Sequence, residues 1–317
     1  MGFYDIANRY AGLGAKNHPL VKISSIVPWE DFLVRLEAAW RKPPEERKSN
    51  AGCNPWDAVV MFKAIILCTL YNLSDDQVEY QIRDHLSFVR FLGLGLEDKV
   101  PDAKTVWLYW EQLAQADAIE DLFEDFDGYL EKQGYLAMGG QIIGASIVAI
   151  PKQRNSRDEN ENIKEGETPD GWENELAKRC QKDNDARWTK KHGKSHYGYK
   201  DHVNVDRRYK LVRRYKVTDA AVHDSQVVEG TLDPNNTASS MWAVSAYLSA
   251  EKRGNKTRSK VRARVEHVFG AQSNDMGGTL VRSIGLTRAK ARTGLKDLTY
   301  NMRRLVQLER LAMAGSP

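Results

Sequence analysis

Cysteine is scarce in this sequence, and long apolar segments are missing from it. The 317 residues include 3 cysteines, none in a C-x-x-C spacing, so the sequence predicts neither a disulfide framework nor a cysteine zinc site. No apolar run reaches the roughly 20 residues that a membrane-spanning helix needs. The first residues also lack the charged-then-apolar order of a signal peptide. These absences predict a cytoplasmic protein that has no membrane partner.

Positive charge is sparse in the first half of the chain and abundant in the second. Residues 1–177 carry 18 Lys and Arg against 30 Asp and Glu, whereas residues 178–317 carry 29 against 13. A basic region of this size is typical of proteins that bind a polyanion, most often nucleic acid, by neutralising its phosphates. The alternative is a solvated basic face that only keeps the protein soluble.

Residues 1–135 are predicted to form a helical N-terminal domain. Trp29, Phe32 and Leu36 recur at helical spacing, as expected for one buried stripe. A long apolar helix is predicted to begin with Asn54 as its N-cap, and Ser74 opens a capping box at the start of the next helix. The pattern is that of a helical bundle.

Short helices around 74–92 and 102–113 fit a helix-turn-helix motif. Lys104, Thr105 and Trp107 would then lie at the exposed start of a DNA-reading helix. Short helices joined by turns are also ordinary parts of a bundle, and this half of the chain is acidic. The sequence leaves both interpretations open.

Residues 136–317 alternate strands and helices. The run QIIGASIVAI, residues 141–150, predicts a buried strand with Gly144 in its interior, where glycine supplies no packing. A charged excursion follows at 151–195, then a predicted hairpin, a short strand, and basic helices up to the C-terminus. This order of elements predicts an α+β or α/β protein with a ribonuclease-H-like domain after the helical one.

Five stretches resemble the characteristic blocks of insertion-sequence transposases of family five, the DDE type. They are GQIIGASIVAIPKQRNSRDEN, GKSHYGYKDHVNVDRR, VTDAAVHDSQV, SAYLSAE and VRARVEHVFG. The likeness extends from about Trp29 to Leu311. It implies a bacterial mobile-element origin, a helical domain used for DNA-end binding and subunit contact, and a homo-oligomer, most simply a dimer, in the nucleoid.

The resemblance also implies where the chemistry would lie. Intact relatives hold two Mg²⁺ ions, about 3.5–4 Å apart, with two aspartates and one glutamate. Glu266 matches the glutamate, but Gly144 and Val244 stand where the two aspartates are expected. The two positions Val244 and Glu266 are only 22 apart, whereas relatives carry a few tens of further residues there. We therefore expect no bound cofactor and a catalytically inactive protein.

Other residues could replace or mimic the missing ligands. Glu266 has Arg262 four residues before it, which favours an ordinary helical ion pair. The remaining candidate ligands are His223, His267, Asp201, Asp206, Asp219 and Asp224. Their positions on a predicted hairpin, loop and helix give no strong reason for them to converge on a metal ion.

Basic side chains of the second half are the candidate DNA contacts. They are Arg187, Lys190, Lys191, Lys194, Lys200, Arg207, Arg208, Arg213, Arg214, Arg258, Lys260, Arg262, Arg264, Arg303 and Arg304. Trp188, Tyr197 and Tyr199 alternate with the first of them, a composition suited to stacking on bases. Packing within a sheet is the alternative role for the two tyrosines.

The sequence thus predicts a DNA-binding protein derived from a DDE transposase. It would bind double-stranded DNA at terminal inverted repeats or regulatory sites, alone or in mixed oligomers with an intact related transposase. The alternatives are an active enzyme that cleaves and joins DNA strands with Mg²⁺, and a decayed element without a retained role.

Overall fold

The fold is described from a computed structural model. The described residues are 8, 10–12, 18–40, 55–137, 139–191, 193–236, 241–243, 255–277 and 280–315, with only the backbone for 243 and 255–262. Within these ranges no single helix is long and apolar enough to cross a membrane. The helices Ala58–Tyr71 and Asp75–Asp84 have the required length and apolar content only when taken together, and the chain bends by 100° between them.

The chain divides into two units. The helical unit comprises residues 1–129, 275–277 and 298–317, and the sheet unit comprises residues 130–274 and 278–297. The predicted domain 136–317 differs from the sheet unit at its C-terminal end, because residues 298–317 belong to the helical unit.

The helical unit contains several short or medium α-helices, a 3-10 helix at Trp29–Phe32 and the end of a long helix. The α-helices are α1 (Pro19–Ile26), α2 (Leu33–Trp40), α3 (Ala58–Tyr71), α4 (Asp75–Asp84), α5 (Leu86–Leu92), α6 (Ala103–Gln115), α7 (Ala118–Lys132) and the second half of α12 (Leu286–Met313). Trp29, Phe32, Phe62 and Phe91 lie at its centre, with ring centroids 5.4–6.5 Å apart in edge-to-face arrangements. The predicted apolar stripe is therefore the aromatic core of this unit.

Helix α3 begins later than predicted. Asp57, not Asn54, is the N-cap, and its carboxylate accepts a hydrogen bond of 2.9 Å from the backbone N–H of Val60. Asp caps a helix as well as Asn does, and the later residue leads directly into the apolar run. Asn54 itself lies outside the described residues. The capping box at Ser74 is confirmed, since Ser74 and Gln77 exchange hydrogen bonds of 3.0 and 3.2 Å.

The sheet unit contains a mixed five-stranded sheet. Its strands are β1 (Gln141–Ala149), β2 (Arg187–Lys191), β3 (Lys194–Asp206), β4 (Val212–Asp219) and β5 (Met241–Ala243). The long strand β3 pairs antiparallel with β1, β2 and β4, while β5 pairs parallel with β1. The predicted strand 141–150 and the predicted hairpin are both present.

Helices border this sheet. They are α8 (Arg157–Glu165), α9 (Leu176–Gln181), α10 (Val228–Thr231), α11 (Asn255–Asn274) and the first half of α12. The side chains of Val265 and Phe269 on α11 lie against β1 at Gly144. This contact fixes the helix that carries Glu266 to the strand that carries Gly144.

The charged excursion is more ordered than its composition predicts. Trp172 is fully buried there, and its indole N–H donates a hydrogen bond of 2.8 Å to Glu159 of α8. Lys178 makes an ion pair of 2.9 Å with the same carboxylate, and its ammonium lies 5.4 Å from the indole centroid. One aromatic ring and its charged neighbours thus organise a segment that has almost no apolar periodicity, and the charged excursion 151–195 contains α8, α9 and β2.

Candidate functional site

Gly144 lies in the interior of β1, directly opposite Val203 of β3. A Cβ atom at Gly144 would be 2.8 and 3.0 Å from the two methyl carbons of Val265 and 3.3 Å from the ring of Phe269. Distances this short leave no room for a side chain unless α11 shifts. The position expected to carry the first metal ligand is therefore filled by apolar groups of the helix.

The other two positions of the expected triad are less closely defined. Strand β5 pairs with β1 up to Ala243 opposite Ile143, the residue before Gly144. Val244 follows Ala243 and lies outside the described residues. Glu266 lies on α11 with an exposed side chain, next to the buried Val265.

The residues present do not fit a magnesium centre of the DDE kind. Gly144 supplies no donor atom, and the described residues contain no group of three or more His, Cys, Asp or Glu placed to hold a metal ion. Two-metal sites require several carboxylate oxygens around the ions. The described residues therefore do not supply the ligand set of a DDE two-metal centre.

Three of the acidic residues considered as replacement ligands interact with other groups of the protein. Asp206 is buried and lies 3.6 Å from Arg213, and Asp219 accepts a hydrogen bond of 2.8 Å from the backbone N–H of Ala221. Asp224 makes an ion pair of 3.1 Å with Lys200. These interactions stabilise turns and strand ends, so the three carboxylates do not converge.

The two histidines also have positions away from a metal site. The His223 ring lies 2.8 Å from the Ser225 hydroxyl and caps a short turn, and His267 has an exposed side chain on α11. These positions do not support either histidine as a replacement metal ligand.

Asp201 is the acidic candidate with an unusual environment. It is fully buried on β3 opposite Ser146, and Asp297 of α12 is buried beside it. Burial and the charge of Asp297 raise the pKa of Asp201 well above its usual value, against a smaller opposite effect of Lys296. Burial likewise raises the pKa of Asp297 to about 7, although Gln272 donates a hydrogen bond of 2.6 Å to its carboxylate. Two buried carboxyl groups with one lysine nearby favour a shared proton over two charges.

One exposed basic cluster lies at the β2–β3 hairpin, where Lys190, Lys191 and Lys194 are all exposed. Lys191 pairs with Lys194 next to the hairpin turn, and Gly193 in the turn has a φ of 76°, which favours glycine. We call these three lysines the hairpin cluster. It exposes three lysine side chains at one end of β3, of which the Lys191 ammonium also donates a hydrogen bond of 3.4 Å to the carbonyl of Ala145.

A second basic cluster lies at the other end of β3. Arg207 and Arg208 are exposed in the turn to β4, and the Arg264 guanidinium donates a hydrogen bond to the carbonyl of Arg207. The Arg207 guanidinium lies 5.1 Å from the centroid of the Trp242 ring. Because β3 spans 13 residues, the two clusters are separated by roughly 40 Å along the strand.

Several candidate DNA contacts are used inside the protein. Arg213 is buried and donates a hydrogen bond to the carbonyl of Tyr135, so it is not presented to a ligand in this structure. Arg187 donates to three backbone carbonyls, of Asn184, Ala186 and Ile163. Lys200 is largely buried by its ion pair with Asp224, and Arg214 on β4 is half-buried.

The remaining candidates lie on the two long helices. On α11 only the backbone is described for three of them, Arg258, Lys260 and Arg262. Arg303 makes an ion pair of 3.0 Å with Asp275 in the helical unit, and Arg304 donates a hydrogen bond of 3.0 Å to Gln307. In the possible reading helix α6, Lys104 is exposed, Thr105 is half-buried and Trp107 is 45% exposed.

The three aromatic candidates separate into two groups. Tyr197 and Tyr199 are buried, and both hydroxyls donate hydrogen bonds to Asp183, at 3.2 Å to its carbonyl and 2.7 Å to its carboxylate respectively. Burial raises the pKa of Tyr197 to about 12, so it remains a neutral donor. Trp188 is different because 46% of it is exposed, and of the three only this ring is open to a ligand.

A groove that the sequence did not indicate lies beside Trp188. It has a volume of about 1010 Å³, and its wall is one face of α8 with Arg157, Asn160, Glu161 and Lys164. These four residues are spaced i, i+3, i+4 and i+7, so they share one face of a helix. The sequence would have indicated this face if a helix had been predicted for the segment.

Comparison with known protein families identifies two regions of the chain. A transposase domain (DUF772) matches residues 8–112, and a transposase DDE domain matches residues 175–255. No solved structure matches the chain. The two family matches support a transposase-derived protein as the class, and within that class they support an insertion-sequence transposase of the DDE type. DDE domains of this class normally use Mg²⁺.

Proposed function

We propose that this protein binds double-stranded DNA without cutting it, as a catalytically inactive derivative of an insertion-sequence DDE transposase. The observation that carries the proposal is the filling of the Gly144 position by the methyl groups of Val265. DNA cleavage of the DDE type depends on carboxylates that hold Mg²⁺ at that strand. Glycine and a packed valine supply none, and Val244 adds none at the second position.

The binding half of the proposal rests on charge. The hairpin cluster and the arginines at the β3–β4 turn present exposed cations about 40 Å apart along β3. One turn of B-DNA extends about 34–36 Å, so a duplex lying along the strand would meet a cluster at each end. Phosphate contacts of this kind supply affinity and orientation but carry no sequence information.

We propose that the helical unit provides any preference for a particular DNA sequence. Helix α6 exposes Lys104 and Trp107 at its first turns, as a reading helix would. Terminal inverted repeats or regulatory sites are the proposed targets, bound in the cytoplasm at the nucleoid. We further propose a homodimer, or a mixed oligomer with an intact related transposase that this chain would inhibit.

The test recovers DNA fragments bound by the full-length protein from a random duplex pool at about 150 mM salt. One arm contains EDTA and the other contains Mg²⁺. An enriched motif with uncut fragments in both arms is expected. Fragments that are cut only with Mg²⁺ would show an active enzyme, and the absence of any enrichment in both arms would leave a decayed element without a DNA-reading role.

A charge-reduction series tests which surface meets the phosphates. Changing the three lysines of the hairpin cluster to alanine should lower the magnitude of the slope of log K against log salt by roughly 2 to 3, because each lost phosphate contact contributes about 0.9. The matched control changes three exposed lysines outside both clusters, Lys99, Lys132 and Lys290, to alanine. Equal losses in both triple variants would show that only net charge, and not this surface, is responsible.

A further inference from the structure

The exposed indole of Trp188 forms one side of the groove in the sheet unit. Trp188 pairs across the strands with the buried Tyr197, and the two ring centroids lie 5.1 Å apart at an angle of 40°. The Lys152 ammonium lies 5.7 Å from the centroid of the indole. The packing against Tyr197 holds the ring in place while nearly half of its surface remains open to solvent.

Charged and polar groups surround this ring on both sides. Lys190 follows Trp188 by two residues and therefore projects from the same face of β2. Across the groove, Arg157 and Lys164 lie at the two ends of the α8 face, about 10 Å apart along the helix axis. Asn160 and Glu161 lie between them. The Asn160 amide already donates a hydrogen bond of 2.8 Å to the carbonyl of Ser156 and accepts one of 3.4 Å from Asn155, whereas Glu161 supplies an exposed carboxylate that can pair with the edge of a base.

The floor of the groove is fixed rather than adaptable. The hydrogen bond of Arg187 to the carbonyl of Ile163 ties β2 to α8, and its bonds to the carbonyls of Asn184 and Ala186 hold the guanidinium in place. Asp219, which also lines the groove, is held by the backbone N–H of Ala221. The site is thus a preformed groove with an aromatic face, a polar wall and basic groups near both.

We infer that this groove binds single-stranded DNA, with a base stacked on Trp188 and phosphates bound by Lys152, Arg157, Lys164 and Lys190. Every base offers a flat face for stacking, and basic grooves with exposed aromatic rings are suited to unpaired strands. In a duplex these faces are covered by neighbouring base pairs, so the ligand must be a single strand or an opened end. The inference rests on the proposed DNA-binding function and adds to it a site that a duplex cannot occupy.

The test separates stacking from charge. Fluorescence anisotropy measures binding of a labelled 15-nucleotide thymidine strand and of a strand with the same phosphates but without bases. The wild-type protein should bind the thymidine strand about 5- to 100-fold more tightly than the baseless strand, as expected for one stacked base. Trp188→Leu, which retains apolar packing on Tyr197, should remove this difference and leave the affinity for the baseless strand unchanged. Trp188→Phe should retain most of the difference.

Two controls complete the experiment. Tyr80→Leu removes an aromatic ring that is 65% exposed in the helical unit and should change nothing. Lys164→Ala should lower the magnitude of the salt slope for both strands by about 0.7. Thermal unfolding of each variant establishes that it is folded.

Three outcomes would overturn the inference. The first is equal binding of thymidine and baseless strands by the wild-type protein, and the second is an equal loss in Trp188→Leu and Tyr80→Leu. The third is a uridine RNA strand bound more than about tenfold tighter than the DNA strand. Duplex binding, measured in the same preparation, distinguishes failure of this site from failure of the proposed function, because Trp188→Leu should leave duplex affinity unchanged.

Discussion

Adding one methyl group at Gly144 tests how tightly α11 is packed on β1. In Gly144→Ala the new Cβ would lie 2.8 Å from one methyl carbon of Val265 and 3.0 Å from the other. Valine in a helix has essentially one rotamer, so it cannot turn away. Overpacking of this kind costs about 1–3 kcal/mol, while loss of glycine freedom in the unfolded chain returns about 0.4–1 kcal/mol. We expect a net loss of about 1–2 kcal/mol in the free energy of unfolding.

A double-mutant cycle identifies the contact that causes the loss. Val265→Ala alone should destabilise by about 1–3 kcal/mol through the cavity that it leaves. Combined with Gly144→Ala, the total should be at least about 1 kcal/mol smaller than the sum, because the second change makes room for the first. Urea unfolding at constant pH measures all four proteins.

Glycine substitution elsewhere on α11 provides the control. Within the described part of the chain, a Cβ added at Gly270 would meet no neighbouring group within 4 Å, so Gly270→Ala should stabilise by about 0.5–1 kcal/mol. If Gly144→Ala were as stable as the wild type, or if its effect were additive with that of Val265→Ala, the argument that apolar packing fills the ligand position would be refuted.

Two further perturbations follow from buried groups of the sheet unit. Because the folded-state pKa of Asp297 is raised from 3.8 to about 7, the folded protein holds a proton that the unfolded chain has released, and stability should fall as pH rises through this range. Asp297→Asn should flatten the fall and stabilise the protein at pH 8 by on the order of 2 kcal/mol, measured by urea unfolding at several pH values; an unchanged pH profile would contradict the shared proton. Trp172→Ala should cost about 3–5 kcal/mol in the local stability of the excursion. Hydrogen exchange of α8 and α9 measures this effect, with Glu161→Gln on the same helix as the control; unchanged protection would exclude Trp172 as the organising residue.

Local patterns in the sequence predicted much of the fold. The capping box at Ser74 depends on residues three apart, and strand β1 depends on the nine consecutive apolar or small residues 142–150, so both can be predicted without knowledge of tertiary contacts. The helices of the charged excursion could not be predicted from local patterns, because they depend on a hydrogen bond between Trp172 and Glu159, thirteen residues earlier in the chain. Composition alone describes such a segment as an irregular surface loop.

The candidate site was predictable in part. Gly144 was singled out because glycine is unfavourable in a strand, but its packing partner Val265 is 121 positions away in sequence and only the fold brings them together. Charge counting treats every arginine alike, whereas Arg213 is buried and Arg187 is bound to carbonyl oxygens. Trp188 was proposed for stacking together with Tyr197, and only burial separates their roles.

The packing at Gly144 also explains why glycine is compatible with the close approach of α11 to β1. An aspartate there would place a carboxylate beside Val265 and Phe269, and a buried charge without a partner or a metal costs several kcal/mol. Glycine removes this cost and lets the helix approach the strand. On the same helix, Arg264 reaches the Arg207 carbonyl at the β3–β4 turn. One helix therefore combines an apolar contact at the position of the expected metal ligand with a basic group at the proposed DNA surface, so the proposed loss of cleavage would not require loss of the proposed DNA binding.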